Sequence, residues 1–244
     1  MGAIQVKNLT KKFGDLLVLD DISFEVGNGE FLCIVGPTGC GKTTFLNSLT
    51  KLYELTAGEI LLNGEAVDLK KHNVSYIFQE TSTMPWLTVE QNVGFGLDIK
   101  KVPEKEKKES VSEMLEIVGL MQYRNYYPAQ LSSSMLQRVA IARAFATKPD
   151  LLLMDEPYGQ LDIELRFKLE DELIKLWKKT GTTVLFITHN IEESVYLGEK
   201  ILVLTNKPTK VKKFITDDLP RPRDIADPEF VKLRNEVTEL IKWW

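Results

Sequence analysis

Residues 31–43 are Phe-Leu-Cys-Ile-Val-Gly-Pro-Thr-Gly-Cys-Gly-Lys-Thr, and this stretch decides the fold class. Its first five residues are apolar, which is typical of a strand covered on both faces in a parallel sheet. The next eight match the pattern G-x-x-x-x-G-K-[ST], and a helical pattern follows over residues 43–53. Glycines in that context let successive backbone N–H groups turn toward a phosphate, and the helix dipole adds its positive end. The stretch therefore predicts a phosphate-binding loop between a strand and a helix.

The last two residues of this loop indicate what the phosphate belongs to. The Lys42 ammonium has the length to reach the β- and γ-phosphates of a nucleotide, and the Thr43 hydroxyl is a ligand for Mg²⁺. A glycine-rich turn without a ligand is the alternative, and the full motif in its strand–helix context argues against it.

A second apolar run, Leu151–Met154, ends in two carboxylates, Asp155 and Glu156. Such a strand places them at the carboxyl edge of its sheet, where α/β proteins bind ligands. We expect Asp155 to organise the Mg²⁺ shell and Glu156 to polarise the attacking water. Taken alone, the pair would be read as the N-terminal cap of a helix. A third apolar run, Val184–Ile187, completes an alternation of strands and helices that predicts an α/β fold.

Two regions depart from that alternation. Near the N-terminus, residues 4–9, 17–19 and 22–26 read as short strands, which predict an antiparallel β flap. Residues 84–148 read as a mostly helical insert that contains a charged, solvated helix entrance at 100–109. The predicted organisation is therefore one α/β core with its β flap, formed by 1–83 and 149–244, interrupted by the helical insert 84–148.

Composition excludes several classes of protein. The 244 residues are 43% apolar and 27% charged, enough for a hydrophobic core, and the net charge of −4 does not favour nucleic-acid binding. The two cysteines, Cys33 and Cys40, imply no disulfide framework. The apolar runs are shorter than the roughly 20 residues that span a bilayer, and the N-terminus does not resemble a signal peptide. We expect a cytoplasmic protein.

Several motifs in one order carry a resemblance to a known family. After the phosphate loop come Leu-Ser-Ser-Ser-Met-Leu-Gln-Arg at 131–138, the Asp155-Glu156-Pro157 strand end, Leu161-Asp162 and His189. Over essentially the whole chain the sequence resembles the ATP-binding subunit of an ABC transporter. That resemblance implies a head-to-tail sandwich of two subunits, in which each ATP lies between the phosphate loop of one and the LSGGQ-type element of the other.

Residue by residue, the resemblance implies the following roles. Phe13 would stack on adenine, Gln79 would contact Mg²⁺ and water, and His189 would sense the γ-phosphate, with Gln79 and His189 joining Glu156 as the catalytic group. Asp162 matches the D-loop aspartate, although the preceding Gly159-Gln160 departs from the usual pair. The implied metal ligands are Thr43, Gln79 and Asp155. The implied nucleotide contacts are Phe13, Gly36, Pro37, Thr38, Gly39, Cys40, Gly41, Lys42, Thr43, Thr44, Gln79, Ser132, Ser133, Ser134, Gln137, Asp155 and Asp162.

The departure with the largest consequence is Ser133-Ser134, where the family has two glycines. A Cβ at these positions takes up room and restricts φ, whereas the N–H donors and the helix dipole survive. A serine hydroxyl is itself a phosphate donor. Two alternatives to a transport ATPase stay open: a degenerate partner subunit that binds ATP with little hydrolysis, and a soluble ABC ATPase outside transport.

A narrower resemblance concerns the transported solute. Residues 81–93 and Leu-Pro-Arg-Pro-Arg-Asp at 219–224 are similar to ATPases that power nitrate, sulfonate and taurine import. This implies a homodimer on the inner face of the cell membrane, bound to integral permease subunits and indirectly served by a solute-binding protein, with no nucleic-acid partner. Aromatic and apolar residues of the insert would offer the groove for a permease helix, particularly Met84, Trp86, Leu87 and the loop Tyr123–Tyr127. The Trp243-Trp244 pair would pack on its own subunit.

Overall fold

The computed structural model describes residues 3–80, 82–159, 161 and 163–241. The predictions that involve Thr81, Gln160, Asp162 and Trp243-Trp244 fall outside these residues. Internal contacts divide the chain into two compact units: a first unit of Met1–His72 with Thr183–Trp244, and a second unit of Asn73–Thr182. The predicted boundaries of the helical insert, 84–148, lie inside the second unit and stay a prediction.

Strands and helices are both present, as the predicted α/β fold requires, and they alternate strictly from β7 to β9. The strands are β1 Ile4–Phe13, β2 Leu16–Val26, β3 Phe31–Val35, β4 Ala57–Leu62, β5 Glu65–Ala66, β6 Val74–Ile77, β7 Leu151–Asp155, β8 Thr183–Ile187, β9 Lys200–Leu204 and β10 Val211–Thr216. The helices are α1 Lys42–Leu49, α2 Val89–Ile99, α3 Glu104–Ile117, α4 Ser133–Ala146, α5 Ile163–Thr180, α6 Ile191–Leu197 and α7 Pro228–Ile241.

The β flap of the first unit is an antiparallel sheet in the order β2-β1-β4-β5. The predicted break between 17–19 and 22–26 was wrong, because β2 runs through both segments. The strand absorbs the irregularity in a shifted register, with Asp21 at φ 54° and its carboxylate accepting a hydrogen bond of 2.7 Å from the Asn8 side chain.

The first unit also holds the strand of the phosphate loop. Its order is β10-β9-β3-β8, and β3 lies parallel to both β8 and β9. Every residue of β3 and β8 is buried, as the two apolar runs predicted. The helix after the loop is shorter than predicted, since α1 ends at Leu49 and Lys51 adopts φ 56°. Leu52, which lies inside the predicted helix 43–53, is consequently outside α1 and 64% exposed.

In the second unit β6 and β7 pair in parallel and are joined in sequence by helices α2, α3 and α4, which pack on one another. Helix α2 begins with a capping box, in which Thr88 accepts from the Gln91 N–H and the Gln91 side chain accepts from the Thr88 N–H. Arg138 of α4 pairs with Glu172 of α5 at 3.3 Å. These contacts give the unit its own core.

The 18 residues of α5 form the longest helix among the described residues, and they include charged side chains in every turn. No helix in the described part of the chain has both the length and the apolar composition needed to cross a bilayer.

Candidate functional site

Lys42 is held inside the phosphate loop by the loop itself. Its ammonium donates to the carbonyl oxygens of Gly36 at 2.9 Å and Pro37 at 3.2 Å, and the residue is only 6% exposed. The ammonium is therefore held at the start of helix α1 by backbone carbonyls before any ligand binds. Its positive charge would attract an anionic ligand to this place.

Two glycines of the loop have little room for a side chain. Gly41 adopts φ 117°, and a Cβ there would lie 3.0 Å from Val18 Cγ1. A Cβ on Gly36 would lie 3.1 Å from Leu204 Cβ. The motif therefore needs glycine for the backbone path and for packing. Thr209, fully buried, donates a hydrogen bond to the Cys40 carbonyl and ties the loop to the chain after β9.

The N-terminus of α1 is left without a side-chain cap. The N-cap position is Gly41, which has no side chain to cap the first turn, and that turn contains no acidic residue. Helix N-termini carry N–H donors and a positive partial charge. An anionic ligand at this helix start would supply the acceptor that an N-cap side chain supplies elsewhere.

His189 lies at the same sheet edge as the phosphate loop. Ile34 of β3 is paired with Ile187 of the parallel strand β8, and the Thr188 N–H donates to the Ile34 carbonyl at 3.2 Å. Because both strands end at this edge, the residues that follow them emerge together. The His189 side chain is exposed there, and Asn190 caps the helix that follows.

Phe13, predicted to stack on adenine, has neighbours that the sequence did not indicate. The ring is 42% exposed at the end of β1, and Tyr53 meets it edge-on with ring centroids 5.3 Å apart. The Lys11 ammonium lies 4.7 Å from the Phe13 ring centroid and donates to the Glu54 carbonyl. None of these neighbours belongs to a recognisable motif, because the contacts join strand β1 to the distant segment after α1.

In the second unit, Gln79 and the two carboxylates also share one sheet edge. Ile77 of β6 is paired with Met154 of the parallel strand β7, so the residues that follow leave the sheet side by side. Asp155 is 6% exposed, and its carboxylate accepts a hydrogen bond of 3.4 Å from the Tyr76 hydroxyl. Burial raises the pKa of the Tyr76 hydroxyl far above its usual value, and the negative charge of Asp155 raises it further. Tyr76 thus stays a donor to Asp155, a role no sequence signal showed.

Glu156 stands in a backbone conformation that side chains rarely adopt. Its φ is 47°, in the left-handed region, directly before Pro157. Such strain persists only where the surrounding structure imposes it, and it is concentrated at functional positions.

The three serines form the start of α4. Ser132 is the N-cap, and its hydroxyl accepts from the Met135 N–H at 3.3 Å. The hydroxyls of Ser132 and Ser134 lie 2.9 Å apart in one hydrogen bond. Ser133 and Ser132 are exposed, whereas Gln137 is 2% exposed and its amide Nε2 has no hydrogen-bond partner among the described residues. The burial of Gln137 gives no support to its predicted nucleotide contact, and Asp162 lies outside the described residues.

Comparison with known families decides the identity of the chain. A family model described as ABC transporter matches residues 19–159, which include the phosphate loop, the serine-containing helix start and the Asp155-Glu156 pair. The chain belongs to the ABC transporter family. As a member it is an ATP-binding subunit with ATPase activity, and both the predicted family and the predicted fold class are confirmed.

Relatives match over nearly the whole chain. An uncharacterized ABC transporter ATP-binding protein of Methanocaldococcus jannaschii is 42% identical over 243 residues, which cover 98% of this chain and 91% of that protein. An aliphatic sulfonates import ATP-binding protein of Bacillus cereus is 38% identical over 237 residues, covering 97% of this chain and 93% of that protein.

Solved ABC structures share the architecture. An ATP-binding cassette described as a dimer in a post-hydrolysis state with ADP and Pi aligns with a TM-score of 0.76 at 31% identity, covering 89% of this chain and all of that one. An ABC subunit of a Clostridium perfringens transporter complex aligns with a TM-score of 0.82, covering 98% of this chain and 97% of that one. At 23% identity, the latter likeness concerns the fold alone.

The donor set of the first unit fits the phosphates of ATP. The uncapped start of α1 supplies backbone N–H donors, and Lys42 supplies a positive charge. For Mg²⁺, the predicted ligands are all oxygen donors, as this hard cation prefers. Thr43, with an exposed side chain, is in the first unit, and Gln79 and Asp155 are in the second.

Proposed function

We propose that the chain is the ATPase of an importer for small anions such as sulfonates, nitrate or taurine, working with Mg²⁺ through a separate membrane permease. The observation that supports the ATPase part most directly is the phosphate loop, in which an uncapped helix start and an ammonium held on loop carbonyls offer donors to an anion. The import part rests on the 38% identity to a protein named for aliphatic sulfonates import.

Each residue has a distinct task in this proposal. Lys42 and the loop N–H groups bind the β- and γ-phosphates, and Glu156 polarises the water that attacks the γ-phosphate. His189 and Gln79 hold the γ-phosphate and the water in line. When Mg²⁺ is bound by Thr43, Gln79 and Asp155, it neutralises charge on the phosphate oxygens. Phe13, with Tyr53 against its edge, offers a ring to adenine.

A second copy of the chain completes the site in this proposal. The family arrangement is a head-to-tail dimer, and a related cassette has been described as a dimer with ADP and Pi. The exposed start of α4 at Ser132 and Ser133 is the surface that the partner's nucleotide would meet. The hydroxyl pair of Ser132 and Ser134 favours a second candidate, a subunit that binds ATP but hydrolyses little, because that pairing engages a donor which phosphate would otherwise use.

An exposed aromatic patch of the second unit is the surface proposed for the permease. Trp86 is 72% exposed, Tyr126 42% and Tyr127 47%. The two segments are fixed to each other, since the Val89 N–H donates to the Tyr126 carbonyl at 2.9 Å. Buried Asn92 ties down the Trp86 loop by bonding the carbonyls on either side of that residue. A rigid patch of large aromatic side chains is typical of a binding surface.

The Glu156→Gln variant tests the enzymatic part. It keeps the size of the side chain and removes the charge that polarises water, so we expect turnover to fall by about 10²–10⁴-fold with ATP affinity unchanged. The variant should also accumulate as an ATP-bound dimer in gel filtration. Glu164→Gln is the control, because Glu164 is an exposed carboxylate of α5 that pairs with Lys168. Wild-type turnover in Glu156→Gln would remove the assignment.

The Trp86→Ala and Tyr127→Ala variants test the transport part. We expect the isolated proteins to keep their ATPase activity, and to lose solute-stimulated activity when reconstituted with the permease and solute-binding protein in vesicles. Taurine, nitrate and an alkanesulfonate added in turn would identify the solute. Full stimulation in both variants would exclude this patch as the permease surface. If none of the three solutes stimulated the wild-type protein, the proposed solute class would be excluded.

A further inference from the structure

Helix α6 follows His189 directly and is short enough to move as one body. Its seven residues begin after Asn190, whose side-chain oxygen accepts from the N–H groups of Glu192 at 3.0 Å and Glu193 at 3.3 Å. The Asn190 N–H in turn donates to the Thr188 hydroxyl at 2.9 Å. Because His189 lies between these two anchored residues, the position of its ring depends on the position of α6.

Two arginines bind the C-terminal end of α6. Arg223 donates to the carbonyls of Val195 at 2.6 Å and Gly198 at 2.5 Å. Arg221 donates to the carbonyl of Tyr196 at 2.9 Å and also to that of Leu197. The last carbonyls of a helix lack partners within it and carry negative partial charge, so guanidinium groups are suited to this place. The Leu-Pro-Arg-Pro-Arg-Asp stretch therefore has a structural task at this helix end.

The charges involved are buried. Arg223 pairs with Asp217 at 3.1 Å, and the two side chains are 2% and 0% exposed. Burial lowers the pKa of Arg221 to about 10 and raises that of Asp217. A buried pair of this kind contributes little net stability, but removal of one partner leaves the other charge uncompensated. A buried ion pair of this kind therefore favours one arrangement of its two side chains over other arrangements.

A third arginine binds the opposite end of α6. Arg234 of α7 pairs with Glu192, in the first turn of α6, at 3.4 Å. Both side chains are about one-third exposed. Residues 217–241, which we call the C-terminal clamp, thus contact α6 with arginines at both ends, and Glu192 is only three residues from His189.

We propose that the C-terminal clamp is a positioning element for catalysis, which holds α6 and through it sets the placement of His189. The proposal rests on the role of His189 in the proposed function. In this proposal the arginines do not contact the nucleotide, and they act on His189 through helix α6. Loosening the clamp should therefore lower turnover while ATP affinity stays unchanged.

The test is a double-mutant cycle between Arg234→Met and His189→Ala. Methionine keeps an unbranched stem on α7 and removes the contact with Glu192. The matched control is Lys213→Met, which removes an ion pair of 2.5 Å between β10 and Glu236 of α7 and does not involve α6. Surface pairs of this kind contribute about 0–1 kcal/mol to stability, so the two variants should melt alike. The measurements are turnover at saturating Mg-ATP, the dissociation constant for ATP and the melting temperature.

We expect Arg234→Met to lower turnover about three- to tenfold and Lys213→Met to change it less than twofold, with ATP affinity unchanged in both. In the His189→Ala background, Arg234→Met should have no further effect, because the residue through which it acts is gone. An equal loss in both backgrounds, or wild-type turnover in Arg234→Met, would overturn the clamp while leaving the role of His189 intact. Wild-type turnover in His189→Ala alone would overturn that role and the clamp with it.

Discussion

Helices α1 and α4 both begin where the proposed function needs phosphate contacts, but they have different residues at the N-cap position. The start of α1 has a glycine at the N-cap, which offers no side chain to the first turn. The start of α4 has Ser132 at the N-cap, bonded to the Met135 N–H and to the Ser134 hydroxyl. The N-cap residue of the first helix therefore provides no acceptor, whereas that of the second provides a hydroxyl.

The difference shows how the same helix dipole serves two purposes. At α1 the N-cap glycine provides no side-chain acceptor of the kind that helix N-termini normally have. A bound phosphate would provide acceptors there, so binding and loop stability are coupled. At α4 the serines stabilise the helix without a ligand, and a phosphate must compete with them. Binding of ATP should therefore depend mainly on α1, and α4 should tune the rate.

Lys42→Ala is expected to have the largest effect on ATP affinity. The substitution removes a charge-assisted hydrogen bond to phosphate, worth about 1.5–3 kcal/mol, so ATP affinity should fall at least about tenfold. Titration with ATP measures the change. Lys105→Ala, which removes an exposed lysine of α3, is the control and should bind as the wild type does. Unchanged affinity in Lys42→Ala would mean that the open helix start is not the ATP site.

Gly41→Ala tests whether the open start of α1 depends on its backbone conformation. Alanine would be strained at φ 117° and crowded by Val18, so we expect a loss of about 1–3 kcal/mol in the free energy of unfolding. Gly14→Ala is the comparison, since Gly14 also has a positive φ of 56° but nothing described within 4 Å of the added Cβ. Urea denaturation of both variants should show the larger loss at Gly41. Equal losses would show that packing at Val18 has no influence.

Opening the start of α4 should raise the rate. With Ser133→Gly and Ser134→Gly combined, the backbone can approach a phosphate more closely, and we expect turnover to increase about two- to fivefold, for about 0.4–1 kcal/mol of transition-state stabilisation. Ser134→Ala keeps the Cβ and loses the hydroxyl, so it should be the slowest of the three proteins. Steady-state phosphate release at saturating Mg-ATP measures the order, with Glu156→Gln as the blank.

The serine variants also separate the two candidate functions. Wild-type release at the level of the blank, rescued by the double glycine variant, would identify a subunit that binds ATP without turning it over. Equal rates in wild type, double glycine and Ser134→Ala would show that this helix start does not contact the γ-phosphate, and the head-to-tail dimer would lose its support.

Ser132→Ala tests the N-cap of α4 through stability alone. It removes the N-cap of α4, and such losses cost about 0.5–2 kcal/mol of stability. Thr88→Ala, at the capping box of α2, should cost a similar amount and is the matched control. The free energy of unfolding in urea measures both. A neutral Ser132→Ala would mean that the cap at α4 is not holding the helix, and the contrast with α1 would disappear.

Local patterns predicted the parts of the site that depend on neighbouring residues. The apolar runs 31–35, 151–154 and 184–187 became buried strands, and residues 36–41 became a loop with Gly39 and Gly41 at positive φ. Prediction from local patterns was wrong where the backbone leaves the helical conformation without a local sequence signal. It extended α1 to residue 53, because the periodicity of apolar residues continues past the point where Lys51 leaves the helical conformation.

By itself, the sequence determined the phosphate loop, the acidic end of β7 and the family, because glycine conformation and strand burial depend on residues close together in the chain. Only the tertiary structure decided which partners these residues have. Tyr53 lies against Phe13, Tyr76 donates to Asp155 and Arg223 binds the end of α6. These contacts join positions that lie 28 to 79 residues apart in the chain. Hydrophobic periodicity describes only neighbouring residues, whereas these contacts depend on how whole helices and strands pack against one another.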